Sequence, residues 1–425
     1  MGSRPVPLRR VGLVLAAGLA FGCKTEQAAI EVDAEVSVPL VIDPSSVHTV
    51  GTTDTIASVR DVTVLEDGTV WVLNSVDPLF VGFGPDGGVT SAHGRTGGGP
   101  EEFGAATAFV SGGSDGNGGS GHEAWVLDLR RHMLIDVSRP DEPRAGREVR
   151  IPRETIPPGS VVPGHVLGRE VRTAWLGEEI VLPRRIGMEE LPAIEYWIAA
   201  FESDLVALNP ETGSARTVVR LPDVLGDLTA HFEAVRPGFP PLPLWHRLWD
   251  VCAGREIAVY DLTSGAMRRF AADGTELESF PVPTSFERVT AREFALAAFD
   301  LAAAETAGAV APGVGDMTRE DSARILDRMD AGIEGTPEQL AAVLPAFIDF
   351  RCADDGTMWL RPIDLERGGM RGRGTWVRVS NEGAVDRVTF PERFDPFVFT
   401  GGRVWGVLRD EFDIATLAWV EPPAG

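Results

Sequence analysis

One register recurs along this chain and narrows the folds open to it more than any other feature. An Asp stands nine residues before an apolar residue that a Trp follows: Asp61 before Val70-Trp71, Asp349 before Met358-Trp359, and Asp395 before Val404-Trp405. Between the Asp and the Trp lie a short apolar-polar alternation and a turn, Asp67-Gly68, Asp355-Gly356 or Gly401-Gly402. Alternation with period two sends successive side chains to opposite faces of a strand. Asp-Gly between two such runs predicts a hairpin, with a type I′ turn that needs positive φ at both central residues.

Looser copies fill the gaps. Ala124-Trp125-Val126 follows the Gly/Ser-rich stretch 111–121, Trp175 to Leu182 forms another unit, and Asp250-Val251-Cys252 leads to Ile257-Ala258-Val259 across a shorter turn. Most units continue into a second hairpin, as at Leu79 to Phe83 with Asp86-Gly87, and Leu205 to Leu208 with Asn209-Pro210. Six units of about four strands, roughly 40–80 residues apart, predict an all-β six-bladed β-propeller over residues 38–425. The 48 glycines and 31 prolines suit its many reversals. The last unit, ending at Ala415 to Val420, lacks a fourth strand. Val47 to Gly51 resembles the outer strand Thr90 to Gly94, so an N-terminal strand is expected to close the ring and cover the open edge. Residues 291–346 are Ala-rich, with a capping box at Thr336-Pro337-Glu338-Gln339. They predict a helical insertion between blades four and five.

The first residues carry an address rather than structure. Arg4, Arg9 and Arg10 precede the apolar run Val11 to Phe21, which is too short to span a bilayer. Leu19-Ala20-Phe21-Gly22-Cys23 resembles the bacterial lipobox. That resemblance implies a signal peptide over 1–22, lipidation of Cys23 and a tether over 23–37. Lys24 after the Cys favours the outer membrane by the same resemblance. The other reading is an ordinary secretory signal with an incidental Cys.

Net charge is −24, and removing residues 1–22 takes away three arginines and no acid, leaving −27. Such a surface repels nucleic acid and anionic lipid. Cys252 and Cys352 remain after lipidation. An oxidising compartment permits a bridge, but the repeat places them one residue out of register, which reverses the side chain's direction. Buried free thiols are the preferred reading and a disulfide the alternative.

His93-Gly94-Arg95-Thr96-Gly97-Gly98-Gly99-Pro100-Glu101-Glu102-Phe103 is similar to a G-R-x-G-x-G-P-x-E-F signature. It ends the first blade in bacterial six-bladed β-propeller proteins related to NHL-repeat propellers. Pro345-Ala346-Phe347 ahead of Asp354-Asp355-Gly356-Thr357-Met358-Trp359, and Gly402 to Glu411, also resemble that family. The resemblance implies a fold and assigns no activity, because one fold hosts many functions.

Candidate site residues follow from the repeat. Asp61, Asp349 and Asp395, with Asp250, stand at comparable strand starts. If those strands are innermost, their carboxylates converge near the channel and offer a site for a hard cation such as Ca²⁺. The preferred alternative has each Asp capping a turn or bonding the next blade's backbone. The Trp series (Trp71, Trp125, Trp359, Trp405) reads as inter-blade packing. Gly97 to Gly99 reads as an inter-blade loop, with Arg95 and Glu102 able to line a face. His231 and His246, in a Pro-rich loop, are further candidates for that face. No G-x-S-x-G, H-E-x-x-H or C-x-x-C occurs, and no catalytic residue is named.

The expected function is a lipid-anchored binding or scaffold module, a monomer held to the membrane by its lipid. Its partner would be an envelope or extracellular protein, peptide or glycan. The alternative is a metal-dependent lactonase or lyase using the central channel.

Overall fold

The computed structural model describes residues 39–51, 56–99, 102–112, 123–141, 148–152, 172–184, 204–220, 248–261, 265–282, 347–362, 374–381, 384–412 and 414–423. The signal segment 1–22, Cys23 with its tether, and the helical insertion expected over 291–346 lie outside these residues.

Two short strands come first, β1 (Leu40–Val41) and β2 (His48–Val50). The other strands group, among the described residues, into five four-stranded antiparallel arrays and a three-stranded one that β2 completes. Array 1 is β3 (Val59–Val64), β4 (Val70–Asn74), β5 (Phe80–Phe83) and β6 (Val89–His93). Array 2 is β7 (Ala106–Ser111), β8 (Trp125–Asp128), β9 (Met133–Asp136) and β10 (Glu148–Arg150). Array 3 is β11 (Thr173–Leu176), β12 (Glu179–Arg184), β13 (Asp204–Leu208) and β14 (Ala215–Arg220). Arrays 2 and 3 are joined through β7 and β11 into one eight-stranded sheet. Array 4 is β15 (Trp249–Cys252), β16 (Glu256–Asp261), β17 (Ala266–Ala271) and β18 (Glu276–Pro281). Array 5 is β19 (Phe347–Cys352), β20 (Met358–Pro362), β21 (Thr375–Val379) and β22 (Val385–Thr389). Array 6 is β23 (Phe394–Thr400), β24 (Arg403–Arg409) and β25 (Ala415–Val420), completed by β2 on β25.

The first strands touch in cyclic order, β3, β7, β11, β15, β19, β23 and back to β3. The apolar core is divided to match. Six buried clusters each lie between two consecutive arrays, and the one joining array 6 to array 1 packs Phe397, Trp405 and Val407 against Val62, Val72 and Phe83. The result is an all-β, propeller-like arrangement with its first strands around an axis.

Burial falls from the middle strands to the rim. In β4 all five residues are buried, whereas β18 at the rim is mostly exposed. A strand sandwiched between two neighbouring arrays is covered on both faces, so it needs no alternation. The four tryptophans of the repeat stand in these interfaces. Trp71, Trp125, Trp359 and Trp405 each belong to an inter-array cluster, and Trp359 stacks on Phe399 at 4.8 Å.

The Asp-Gly turns differ from the type I′ expectation. Gly68 and Gly356 have φ of +83°, but neither Asp67 nor Asp355 has positive φ. Gly68 N–H donates to the Leu65 carbonyl at 3.0 Å, and Leu65 N–H to the Thr69 carbonyl at 2.8 Å. This is a type I turn closed by a glycine bulge, the form taken by hairpin loops longer than two residues. Asp67 and Asp355 serve it from the side, accepting the Thr69 and Thr357 N–H groups at 2.8 Å.

The N-terminal segment is joined to two arrays. β2 pairs antiparallel with β25, His48 opposite Trp419, and the two rings stack at 4.0 Å. Before it, β1 pairs parallel with β22, and the Ile42 N–H donates to the Thr389 carbonyl at 3.0 Å. Ile42 is buried in the cluster between arrays 5 and 6. Residues 40–50 thus stitch those two outer edges together. No helix among the described residues is long and apolar enough to cross a membrane.

Candidate functional site

Each first strand is paired on one side only within its own array, so its other edge of N–H and C=O groups faces the axis. A buried backbone group without a partner is costly, and the side chains here answer that need. Asp61 accepts its neighbour Val62 N–H at 2.9 Å with Oδ1 and the Phe109 N–H of array 2 at 2.8 Å with Oδ2. Asp250 repeats the pattern, with Oδ1 on Val251 N–H and Oδ2 on the Cys352 N–H of array 5, both at 2.8 Å. Arg172, just before β11, donates to the same Asp250 Oδ2. Burial pushes the Asp250 carboxyl above its ordinary range. Arg172 and the two N–H groups act in the opposite direction.

Other junctions use other groups. Between arrays 2 and 3 the first strands form a short parallel pairing, Thr173 opposite Val110. There the Ser111 hydroxyl donates to the Thr173 carbonyl at 3.0 Å and the Thr173 hydroxyl to the Phe109 carbonyl at 3.2 Å. Between arrays 5 and 6, Asp354 Oδ2 accepts the Thr400 hydroxyl at 3.0 Å and the Gly401 N–H at 2.7 Å.

Two of the four repeat aspartates share that bond pattern. Asp61 and Asp250 both reach the next array's backbone. Asp349 Oδ1 accepts its own neighbour Phe350 N–H at 2.9 Å and lies 3.6 Å from Arg351. Asp395 lies 3.7 Å from Arg361 of array 5. Asp395 keeps the ladder position of the other two: it lies opposite Val407, two residues after Trp405, as Asp61 lies opposite Leu73 and Asp349 opposite Arg361. The array 6 turn is one residue shorter, and the bulge after Pro396 makes up for it. Bulges before Asp61 and Asp349, and after Pro396, re-aim these side chains.

Cys252 and Cys352 form a disulfide with a Cα–Cα distance of 4.9 Å. This corrects the preference for free thiols. The one-residue mismatch compares positions along two separate strands, Cys252 two residues after Asp250 and Cys352 three after Asp349. What brings the sulfurs together is the lateral packing of β15 on β19, which that count does not measure.

Arg95 and Glu102 pair at 2.9 Å in the loop between arrays 1 and 2, with Arg95 largely exposed. Glu102 Oε2 also accepts the Gly99 N–H at 2.6 Å. A Cβ at Gly97 would stand 2.1 Å from that oxygen, so the glycine makes room for the carboxylate that shapes the loop. Neither residue lines the central cavity. His231 and His246 lie outside the described residues.

The cavity on the axis has a volume of about 100 Å³ and takes its lining from all six first strands. Among the described residues three arginines line it, Arg60, Arg172 and Arg351, from arrays 1, 3 and 5. Sequence reasoning did not single these out. The signal was present at Arg60 and Arg351, which stand within two residues of a repeat Asp in otherwise apolar strands. Among the described residues no group of three His, Cys, Asp or Glu is placed to hold a metal ion. A calcium ion asks for six to eight oxygens. The carboxylates on this axis point their oxygens at N–H groups, hydroxyls and guanidinium, so the donor set does not fit such an ion.

These features define a propeller-like protein with a central cavity lined by both charged and apolar groups. No family model matches the chain, and no curated protein matches it. Among solved structures it is similar to a streptogramin B lyase, at 10% identity over 89% of this chain and 97% of that one, TM-score 0.42. A member of the DUF4221 family from Bacteroides vulgatus is similar at 9% identity over 90% and 95%, TM-score 0.47. A calcium-binding regucalcin from Agrobacterium tumefaciens is similar at 11% identity over 92% and 98%, TM-score 0.41.

Proposed function

We propose that this chain is a lipid-anchored, extracytoplasmic, six-bladed propeller that acts as a binding module, with the central cavity as its ligand site. The six arrays are read as blades and the N-terminal strand as their closure. The cyclic contacts of the first strands and the six inter-array clusters support that count. The observation that carries the binding reading is the cavity itself. It is lined from every blade, and Asp61, Asp250 and Asp354 on its wall are tied into structural bonds. Extracytoplasmic placement rests on the signal-like segment and Cys23, and the Cys252–Cys352 bridge supports it, since such bonds persist in oxidising compartments. The outer membrane remains the proposed location, from Lys24.

Capture of partners from the native envelope, with the lipid in place, tests this reading. A specific, stoichiometric partner or ligand supports it. Stoichiometric metal that a chelator removes, with turnover of lactones lost at the same time, would replace it with the metal-dependent lactonase or lyase reading.

A further inference from the structure

The cavity holds more hydrogen-bond donors than its carboxylates use. Arg351 lines it from β19 and is only 8% exposed. Asp349 Oδ1 lies 3.6 Å away, beyond hydrogen-bond range. Its Nε has no hydrogen-bond partner among the described residues. Arg172 lines the same cavity from the start of array 3. One terminal nitrogen holds Asp250, while its Nε is also without a partner. A guanidinium carries five N–H donors in a rigid fork and no acceptor. Both arginines therefore bring buried donors to this part of the axis.

Their positions are linked through array 4. Asp250 Oδ2 takes Arg172 from one side and the Cys352 N–H from the other, and Arg351 is the residue before Cys352. Both residues line the one cavity, Arg172 from the start of array 3 and Arg351 from array 5. The carboxylate between them already accepts Arg172 and two backbone N–H groups. Arg60, the third cavity arginine, gives NH1 to the Ala106 carbonyl at 3.1 Å.

A group made only of acceptors is what such donors can take. We propose that the cavity binds a small oxyanion, a carboxylate or phosphate group, between Arg172 and Arg351. This rests on the reading of the cavity as the ligand site. Planar guanidinium forks recognise both kinds of oxyanion by paired N–H bonds. Size is selected by the cavity volume of about 100 Å³. Charge is selected by the five acids that also line the cavity, Asp61, Glu66, Glu123, Asp250 and Asp354. Glu123 accepts the Trp125 Nε1–H at 3.0 Å and pairs with Arg139, and Asp354 is held by Thr400 and Gly401. They disfavour a polyanion and leave a singly or doubly charged small molecule.

The test titrates the full oxidised chain with inorganic phosphate and with succinate at constant ionic strength, using chloride and glucose as controls, by calorimetry and thermal shift. Saturable binding of either oxyanion is expected, weakened tenfold or more in Arg351→Gln and in Arg172→Gln. Arg95→Gln, outside the cavity, should bind as wild type. Binding of phosphate alone or succinate alone identifies the source. Arg351→Lys keeps the charge without the fork and should retain part of the affinity, which covers the case in which Arg351→Gln does not fold. The proposal is overturned if wild type binds neither oxyanion better than chloride, or if both folded Gln variants bind as tightly as wild type. A partner captured from the envelope whose binding ignores Arg351→Gln would overturn the oxyanion while leaving the binding module standing.

Discussion

The Asp250 carboxylate accepts the Cys352 N–H at 2.8 Å, and the Cys352 sulfur is bonded to Cys252, two residues along the strand from Asp250. Arrays 4 and 5 are therefore tied twice at the channel edge. The longest run of chain between consecutive arrays, from Pro281 to Phe347, separates these two. Longer connections cost more entropy to close, so this junction is where a covalent tie contributes most.

Breaking the bridge should be costly. It spans 100 residues, and the chain-entropy model gives about 4–5 kcal/mol for a loop of that length. Cys352→Ser, or reduction of the wild type, should lower the denaturant midpoint accordingly. Equal midpoints with and without reductant would show that the bridge contributes nothing.

Asp250→Asn should destabilise the fold at neutral pH by about 1–3 kcal/mol, because it turns an N–H acceptor into a donor and leaves Arg172 without its counter-charge. The pH dependence has a defined sign. The folded-state pKa of Asp250 lies above its unfolded value, so the folded state binds the extra proton between them. Its penalty is present above the raised pKa and relieved as pH falls through it toward the unfolded value. Wild type should therefore gain stability relative to Asp250→Asn on acidification. Parallel pH-stability curves for the two proteins would contradict this.

Asp61→Ala removes the acceptor for Val62 and Phe109 and should cost about 1–3 kcal/mol. Asp86→Ala, which loses only an exposed bond from Gly88 in an outer turn, should cost about 0.5 kcal/mol. Melting temperatures of the two variants check the contrast. Similar losses would mean that Asp61 is no more than another turn residue.

A chain starting at Thr52 lacks both β1 and β2 and bares the edges of β22 and β25. It should melt lower and less cooperatively than one starting at Ala34, and associate through the open edges. Identical melting of the two chains would remove the N-terminal segment from the closure.

The hairpins and the inter-array tryptophans were legible because they depend on local spacing. The closing strand at His48 was legible because the last unit visibly lacked an outer strand. The parallel strand at Leu40 was not, since two residues carry no periodicity. The place of Asp395 opposite Val407, matching Asp61 opposite Leu73, was legible from the shared spacing to the Trp, whereas the bulge after Pro396 that offsets a shorter turn was not.

By itself, then, the chain's alternation, turns and repeat register determined the all-β units and their succession, because strand and turn preferences act over a few neighbouring residues. Only the tertiary structure decided what the repeat Asp residues do, that Cys252 meets Cys352, and that Arg172 and Arg351 share one cavity. Those relationships are lateral, between first strands separated in sequence by whole arrays. They are set by how the arrays pack around the axis, and spacing along the chain does not encode that packing.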